Sequence, residues 1–428
     1  MAQRDPIQWP FSKTSIWNMP IHENARYVPA YLKIPKYGLT PDQDILILKP
    51  DSPMTEIYTN YAGWDGSKDR CIVQGPLLFS APIPVNFVVN KSNWLPGMPN
   101  ASMAVLMPDG RTIKQTQPFA RCTADEVATS QYLFKDQDIY GDGYYGAHGG
   151  SGLSALGGTI RLGELVPDGV IRHVMKINVS AYYNLALNDD GTPGYRWPAP
   201  NADSYAANRY HGTNPAMEIG SLLAIPDSIH LDSLKLETEA GKILATAFQN
   251  YGAYIVDDSW EDVISMETEF SPDGRMIDEF EQEWGFDFGS NWDPKNTPWT
   301  RDFNRIVEVL HVVDNNTKTT IGGGPTNDFE NRLAPMAPDL ADPNFTSVKT
   351  IEEENKVTIF PTPSSDYLYI SDNKWVKNYS IYSLPGEILI QGNIDATHSI
   401  NLSNLAKGNY LIRLEGEEFI QIEKIVIL

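Results

Sequence analysis

Short runs of alternating hydrophobic and polar residues recur along the chain, with glycine and proline between them. Side chains on a β-strand point alternately to its two faces, so this pattern is typical of half-buried strands. The clearest runs are Ile45–Leu48, Ala104–Met107, Thr159–Leu162, Val170–Val179 and Leu222–Ile225. The pattern predicts an all-β protein with a few helices: a β-sandwich or jelly-roll-like main domain and a small immunoglobulin-like β-sandwich at the C-terminus.

Two segments follow the helical period instead. From about Glu239 to Tyr251, apolar residues recur at helical spacing, and Gly252 then ends the run. A second helix is predicted from Arg301 to Val312, with Thr300 as its N-cap. No segment approaches the ~20 uninterrupted apolar residues of a membrane-spanning helix, so no membrane span is expected.

Between residues 326 and 355, apolar residues follow neither the alternation of a strand nor the spacing of a helix. Glycine and proline precede and punctuate this stretch, and acidic residues close it, which is typical of a linker. The chain is therefore expected to comprise a β-rich catalytic domain of residues 1–325, a linker of residues 326–355 and a C-terminal module of residues 356–428. With 428 residues, the chain is long enough to form a sizeable core in the first domain.

The C-terminal module resembles the C-terminal sorting domain of the type IX secretion system of Bacteroidota. The resemblance rests on Phe360–Leu368, Ser380–Gly386, Ile400–Tyr410 and Glu423–Val426. The family usually has Asn-Pro where this chain has Thr362 and Pro363. The resemblance implies export across two membranes, a secreted or cell-surface location, and the secretion machinery as a partner. Because the first five residues lack the features of a signal peptide, we expect that peptide to be missing from this sequence.

Most of residues 10–310 resemble a widespread group of secreted bacterial proteins. The residues that carry this resemblance are Phe11–Ile21, Gly149–Arg161, Tyr195–Ala199 and Tyr251–Asp258. The resemblance implies no catalytic residues, so candidate chemistry has to be inferred from the residues themselves.

Composition and motifs limit that chemistry. The chain has 55 acidic and 33 basic residues, a formal charge of −22, so nucleic acid is not an expected partner. The sequence lacks the motifs of P-loop nucleotide binding, zinc proteases and serine hydrolases. The run Gly149–Gly152 is predicted to be a tight turn. The two cysteines, Cys71 and Cys122, leave two possibilities open, a disulfide or two buried thiols.

Polar residues are densest between Asp142 and His211, on two predicted strands and the long connection that follows. Cleavage of a glycosidic bond needs an acid and a second carboxylate, flanked by groups that bind sugar. The predicted catalytic residues are Glu164, His173 and Asp257, and the predicted substrate-binding residues are Arg161, Arg196, Trp197, Tyr210, His211, Trp284 and Trp292. Structural roles stay open, with His173 as a core histidine and Glu164 as the partner of Arg161 or Arg172.

These residues predict a secreted endo-acting glycoside hydrolase that degrades an acidic or sulfated polysaccharide, such as fucoidan or carrageenan. Clustered arginines between residues 161 and 209 favour an anionic glycan. Two alternatives stay open: a polysaccharide lyase acting by β-elimination on a uronate-containing glycan, and a non-catalytic glycan-binding surface protein. No cofactor is expected apart from calcium, whose candidate ligands lack EF-hand spacing. These candidates are Asp138, Asp142, Asp287, Asp293 and Asp302.

Overall fold

The computed structural model describes residues 4–89, 100–289, 296–340, 357–371, 376–383, 388–394, 398–416 and 420–428. The chain divides into two units, Met1–Ala341 and Asp342–Leu428. Strand residues outnumber helical residues, 33% against 12%, so the predicted all-β class with a few helices is confirmed.

The first unit contains strands β1 to β16 and helices α1 to α5. The strands are β1 (Tyr27–Pro29), β2 (Leu39–Ile47), β3 (Met54–Thr59), β4 (Leu77–Pro82), β5 (Met103–Leu106), β6 (Thr112–Gln117), β7 (Ala128–Ser130), β8 (Tyr132–Leu133), β9 (Gln137–Asp138), β10 (Tyr145–His148), β11 (Met175–Val179), β12 (Leu222–Ala224), β13 (Ala253–Asp258), β14 (Ile264–Ser271), β15 (Gly274–Arg275) and β16 (His311–Val313). The helices are α1 (Ala181–Asn184), α2 (Ala206–Arg209), α3 (Glu239–Asn250), α4 (Met276–Trp284) and α5 (Pro298–Glu308), and short 3₁₀ turns lie at Leu231–Leu234 and Ile321–Gly323.

Twelve of the described strands form one mixed sheet, whose main order is β1-β16-β12-β13-β11-β14-β2-β5-β6-β8. The pairs β11–β13, β14–β2 and β2–β5 are parallel, while β11 and β14 are antiparallel. A smaller sheet, in the order β4-β3-β7, packs through Ile57 and Phe79 against Ile45 and Val105 of the large sheet.

Both faces of the large sheet are buried in its centre. On β11, Met175, Ile177 and Val179 point to the face that is covered by α3, α4 and α5. Lys176 and Asn178 alternate with them and point to the opposite face. That opposite face, which we call the polar face, is covered by the N-terminal segment around residues 11–21 and by residues 147–160.

The first predicted helix is confirmed as α3, because Leu244 and Phe248 form its buried stripe. The predicted start of the second helix is wrong: α5 begins at Pro298, and its N-cap is Thr297 rather than Thr300. Pro298 at the first helical position fits there, since its missing N–H has no partner in a helix start. Thr300 instead completes a capping box, in which its Oγ1 accepts from the Thr297 N–H at 2.9 Å.

Two predicted strands also differ from the structure. The strand predicted over Val170–Val179 is limited to β11, five residues long. Residues 159–162 form no strand, and Ile160 makes only an isolated bridge to Thr268 of β14. The tight turn predicted at residues 149–152 is confirmed, since the Gly152 N–H donates to the His148 carbonyl at 2.9 Å. Cys71 and Cys122 form a disulfide, with their Cα atoms 6.0 Å apart.

Residues 326–340 belong to the first unit and pack against the rest of it. The Arg332 guanidinium donates to the carbonyls of Pro20, Ile321 and Pro325 at distances of 2.9, 2.6 and 2.6 Å. Leu333 packs against the apolar side chains that lie on the same side of the large sheet as the polar face. The remainder of the segment predicted as a linker, from residue 341 to 355, lies outside the described residues.

The second unit is a β-sandwich, as predicted. Its described strands are β17 (Ile359–Phe360), β18 (Tyr367–Ile370), β19 (Asn378–Tyr382), β20 (Ile388–Asn393), β21 (Ser399–Asn401), β22 (Gly408–Glu415) and β23 (Ile420–Ile427). They form two sheets, β17-β18-β21 and β20-β19-β22-β23. Leu368 and Ile400 of one sheet and Ile381, Ile412 and Ile425 of the other share one core.

Candidate active site

Charged side chains occupy alternate positions of the central strands on the polar face. Asp42 and Asp44 come from β2, Lys176 from β11, Asp257 from β13 and Glu267 from β14. All five are at most 5% exposed. Buried charges are costly unless they are paired or hydrogen-bonded, so a group of this size in a sheet centre points to a functional role.

The innermost part of this group, which we call the inner cluster, consists of Asp44, His148, Lys176 and Glu267. Lys176 Nζ donates to Asp44 Oδ2 at 2.7 Å. His148 Nε2 lies 3.1 Å from Glu267 Oε1 and 3.8 Å from Asp44 Oδ1. Burial lowers the pKa of His148, but the charge of Glu267, its hydrogen bond and the charge of Asp44 together outweigh burial, so the net effect is a raised pKa.

Asp42 and Asp257 lie beside the inner cluster and share one hydrogen-bond donor. Asn100 Nδ2 donates to Asp42 Oδ2 at 2.9 Å and to Asp257 Oδ2 at 2.8 Å. Asn178 Nδ2 connects this pair to the inner cluster, because it donates to Asp42 Oδ2 at 3.2 Å and to Glu267 Oε1 at 2.7 Å. Burial raises the pKa of Asp42, and the charge of Glu267 adds to the rise.

Asp257 reaches the polar face through an irregularity in β13. Ile177 pairs with Ile255, but the next residue of β11, Asn178, pairs with Asp257. The additional residue, Val256, shifts the alternation, so that Asp257 lies on the same side as Asn178. Such bulges occur next to active sites, where they redirect a side chain.

The glycine turn after β10 covers Asp257 closely. The Gly150 N–H donates to Asp257 Oδ1 at 3.3 Å. A Cβ atom at Gly149 would overlap with the Asp257 carboxylate, and one at Gly150 would overlap with the Asp203 carboxylate. Gly149 also has a positive φ of 35°. Both positions therefore require glycine, because the backbone approaches the carboxylates too closely for any side chain.

Further acidic and phenolic groups surround Asp257 on its outer side. Burial, and then the charge of Asp203, raises the pKa of Asp257 to about 8. The Tyr210 hydroxyl donates to Asp203 Oδ2 at 2.7 Å. Burial raises the pKa of both Tyr205 and Tyr210 well above the usual range, so both remain protonated hydroxyl groups at neutral pH.

Exposed aromatic side chains form a rim next to the Asp42–Asp257 pair. Trp64 is 44% exposed, stacks on Tyr132 with ring centroids 6.1 Å apart, and donates its indole N–H to Asn100 Oδ1 at 3.0 Å. Trp260 is 57% exposed, and its ring lies 5.4 Å from that of Tyr205. Its backbone has a positive φ of 61°, a conformation that is uncommon for a bulky residue and is found at ligand-binding sites.

The predicted residues Glu164 and His173 come together in a separate place. His173 Nε2 lies 2.9 Å from Glu164 Oε2, and the Arg161 N–H donates to the same oxygen at 2.7 Å. The Arg161 side chain pairs with Glu269 instead, at 2.7 Å. Burial lowers the pKa of His173, but Glu164 outweighs this effect and raises it. The cavity beside the pair has a volume of about 20 Å³, which is room for one water molecule.

The structure separates the other predicted site residues. Tyr210 is connected to Asp257 through Asp203, as described above. The positions of the others are as follows: Arg196 donates to the Asp314 carbonyl at 2.7 Å, Trp197 packs on Tyr144, exposed His211 contacts Tyr182, Trp284 donates to the Leu165 carbonyl at 2.8 Å, and Trp292 lies outside the described residues.

Sequence reasoning missed most of the residues around Asp257, including Asp42, Asn100, Trp64 and Trp260. A signal for the inner cluster was present. Three strands carry charged or amide residues at positions two apart, namely Asp42 and Asp44, Lys176 and Asn178, and Glu267 and Glu269, and on β11 the residues around them are apolar. On a buried strand, that spacing places the pair on one face, so three such strands indicate a common polar site.

Comparison with known proteins identifies the C-terminal unit. Residues 358–428 match the family model of the secretion system C-terminal sorting domain, which confirms the predicted resemblance. The protein is therefore secreted or located at the cell surface, and its sorting domain implies an interaction with the type IX secretion machinery. No curated protein matches the chain. Within the described ranges, no helix has the length and apolar character to cross a membrane.

Proposed function

We propose that the first unit is an endo-acting glycoside hydrolase in which Asp42 and Asp257 form the carboxyl pair that cleaves a polysaccharide. The observation that carries the proposal is the contact of both carboxyl groups with a single atom, Asn100 Nδ2. Glycosidic cleavage needs one carboxyl group to donate a proton and a second to act as nucleophile or base. The protein is secreted or at the cell surface, and this location supports a substrate that is found outside the cell, such as a polysaccharide.

The spacing of the pair favours a retaining mechanism. Both Oδ2 atoms accept from the same nitrogen, at 2.9 and 2.8 Å. The oxygens are therefore closer than the roughly 6.5–9.5 Å that inverting enzymes leave for a water molecule. Retaining enzymes hold their carboxyl groups about 5–5.5 Å apart.

In this mechanism the pair shares one proton, because two neighbouring buried carboxylates repel each other. The protonated group donates its proton to the glycosidic oxygen, while an oxygen of the ionised group attacks the anomeric carbon. The bond to the leaving sugar breaks, and a covalent glycosyl–enzyme ester forms. The first group, now a carboxylate, then takes a proton from the water that hydrolyses the ester, and the second group is released as a carboxylate.

The rim supports a carbohydrate substrate. Trp64 with Tyr132 and Trp260 with Tyr205 present flat, apolar ring faces beside the pair, and sugar rings stack on such faces. We keep an acidic or sulfated polysaccharide as the proposed substrate class. The carboxyl group of Asp203 beside Asp257 disfavours a negatively charged group on the sugar at the cleaved bond, so sulfate or carboxylate groups belong on other units of the polymer.

The test uses a panel of fucoidan, carrageenan, alginate, ulvan and neutral glucans, with reducing ends and fragment sizes as readouts. For a polysaccharide that wild type cleaves, we expect Asp257→Asn to lower kcat by at least about a thousandfold. Asp302→Asn is the matched control, because Asp302 is equally buried but lies on α5, on the other side of the sheet. Unchanged activity in folded Asp257→Asn contradicts the assignment, and binding without new reducing ends supports the non-catalytic alternative.

A second candidate is a lyase that uses the Glu164–His173 pair. The observation in its favour is the 2.9 Å contact between the two side chains. Because His173 Nδ1 also faces the Val174 carbonyl at 2.9 Å, His173 would orient Glu164, and the Glu164 carboxylate would act as the base. Abstraction of a proton next to a uronate carboxylate eliminates the glycosidic oxygen and leaves an unsaturated end that absorbs ultraviolet light. Unsaturated products that disappear in Glu164→Gln, but persist in Asp257→Asn, support the lyase and contradict the hydrolase.

A further inference from the structure

Beyond the proposed hydrolysis, we propose that Asp44, His148 and Glu267 bind one divalent transition-metal ion beneath the Asp42–Asp257 pair. Each residue offers one ligand atom, and the three atoms lie within 4.8 Å of one another. The side chains come from different elements of the fold, β2, β10 and β14, so a bound ion would join the central strands to the segment that covers them.

The main evidence is a set of buried polar atoms without hydrogen-bond partners. Among the described residues, both ring nitrogens of His148 and Oδ1 of Asp44 have no partner with hydrogen-bonding geometry. The His148 side chain is fully buried. Buried polar atoms are nearly always hydrogen-bonded, and each orphan costs about 1–3 kcal/mol. A cation bound to His148 Nε2, Asp44 Oδ1 and a Glu267 oxygen satisfies two of these three atoms together.

The neighbouring donors orient both carboxylates and leave Asp44 Oδ1 free. Oδ2 of Asp44 accepts from Lys176 Nζ and from the Thr159 hydroxyl, both at 2.7 Å. These two bonds hold the carboxylate so that its other oxygen, Oδ1, is on the side of His148. Asn178 donates to Glu267 Oε1 at 2.7 Å and orients that carboxylate, and this oxygen keeps a second lone pair for the ion. Donors that orient ligands in this way are a regular feature of metal sites.

The distances fit a small ion. His148 Nε2 lies 3.1 Å from Glu267 Oε1 and 3.8 Å from Asp44 Oδ1. Ligands about 2.0–2.2 Å from zinc, at tetrahedral or octahedral angles, are separated from one another by roughly 3–4 Å. One imidazole nitrogen and two carboxylate oxygens suit zinc or manganese, whereas calcium prefers six to eight oxygens.

The competing occupant is a proton on His148. In that case an imidazolium and the Lys176 ammonium face two carboxylates, and the inner cluster is a balanced group of four charges with no ion. The two alternatives differ in metal content. They also differ in pH dependence, because metal binding requires neutral imidazole and is lost as pH falls.

The experiment measures the metal content of the full chain, produced in medium that contains ZnCl₂ or MnCl₂ and desalted before mass spectrometry. We expect about one ion per chain in wild type and at least about tenfold less in His148→Gln. The matched control is His22→Gln, since His22 is also fully buried and lies 3.1 Å from a single carboxylate, that of Asp328. The control should retain the ion.

A measurement on wild type alone covers the case in which His148→Gln does not fold. Because an ion that binds only the folded state stabilises it, refolding with ZnCl₂ or MnCl₂ should raise Tm by several degrees over refolding with EDTA, and CaCl₂ should not. Less than about 0.1 ion per chain together with an unchanged Tm overturns the proposal. Equal metal content in wild type and folded His148→Gln also overturns it. Neither result depends on glycoside cleavage.

Discussion

At the scale of single residues, the position of Asp257 depends on how closely the backbone of Gly149 and Gly150 approaches it. A carboxyl group in the centre of a sheet is stable only with several donors, and the glycine turn supplies one while it excludes water from that side. The same closeness makes the turn intolerant of any side chain. The turn is therefore a sensitive place to test the site without changing a charge.

We expect Gly149→Ala to lower Tm by several degrees and to abolish activity, because the new Cβ overlaps with the Asp257 carboxylate. Gly191→Ala is the matched control. Gly191 also has a positive φ, of 79°, but a Cβ there meets no atom within 4 Å. In the control, backbone strain alone should lower the free energy of unfolding, by about 1 kcal/mol. The control should keep its activity. Thermal melts and rate assays of both variants make the comparison. Similar losses in both variants would show that strain, rather than the overlap, matters.

The Glu164–His173 pair predicts a pH-dependent contribution to stability. Glu164 raises the pKa of His173 in the folded state above its value of about 6.5 in unfolded chains. The contribution is therefore fully present below pH 6.5 and is lost as pH rises through the folded pKa. Glu164→Gln should be less stable than wild type by about 2 kcal/mol at pH 5.5. The difference should shrink at higher pH. A difference that is constant from pH 5 to 9, in denaturant unfolding, contradicts this account.

The candidate site was only partly predictable from the sequence. Asp257 was identified because it follows a strongly apolar strand, and Glu164 with His173 because polar residues are dense around them. Asn100 and Trp64 lie in loops far from the dense region along the chain. They meet Asp257 only through the folded sheet, so no local pattern indicates them.

At the scale of elements, the strands and α3 follow from periodicity, whereas the order of the strands does not. The parallel neighbours β2 and β14 are more than two hundred residues apart along the chain, and alternation within each strand says nothing about its partner. The start of α5 was misplaced because Thr300 matched a cap, although Pro298 marks the first helical position. Thr297 is therefore the residue whose loss should matter.

Thr297→Ala should lower the free energy of unfolding by about 1 kcal/mol, since its side chain caps the Thr300 N–H. Thr246→Ala is the matched control, because Thr246 is exposed within α3. There the change to alanine should be neutral or slightly stabilising. Urea unfolding of both variants tests this pair, and equal stability of Thr297→Ala and wild type would contradict the assigned cap.

At the scale of the whole molecule, the sorting domain determines where the protein acts. Its strands, turns and terminal residues were recognisable in sequence because the module is short and its contacts are local. Deletion of residues 356–428 should retain the chain in the periplasm, measured by immunoblotting of periplasm and medium, with the full chain as control. Normal export of the truncated chain would show that another segment directs it.

The disulfide between Cys71 and Cys122 makes the stability of the protein depend on the compartment in which it is produced. Disulfides do not persist in reducing cytoplasm, so the bridge must form after the chain leaves that compartment. It closes a loop of 51 residues. In the chain-entropy model, such a bond stabilises the folded state by about 4 kcal/mol, because it restricts the unfolded chain. Protein recovered from an ordinary bacterial cytoplasm should therefore carry two titratable thiols and melt below protein from the periplasm. Mild oxidation should then raise its Tm, and failure to do so would mean that the loop is ordered without the bridge.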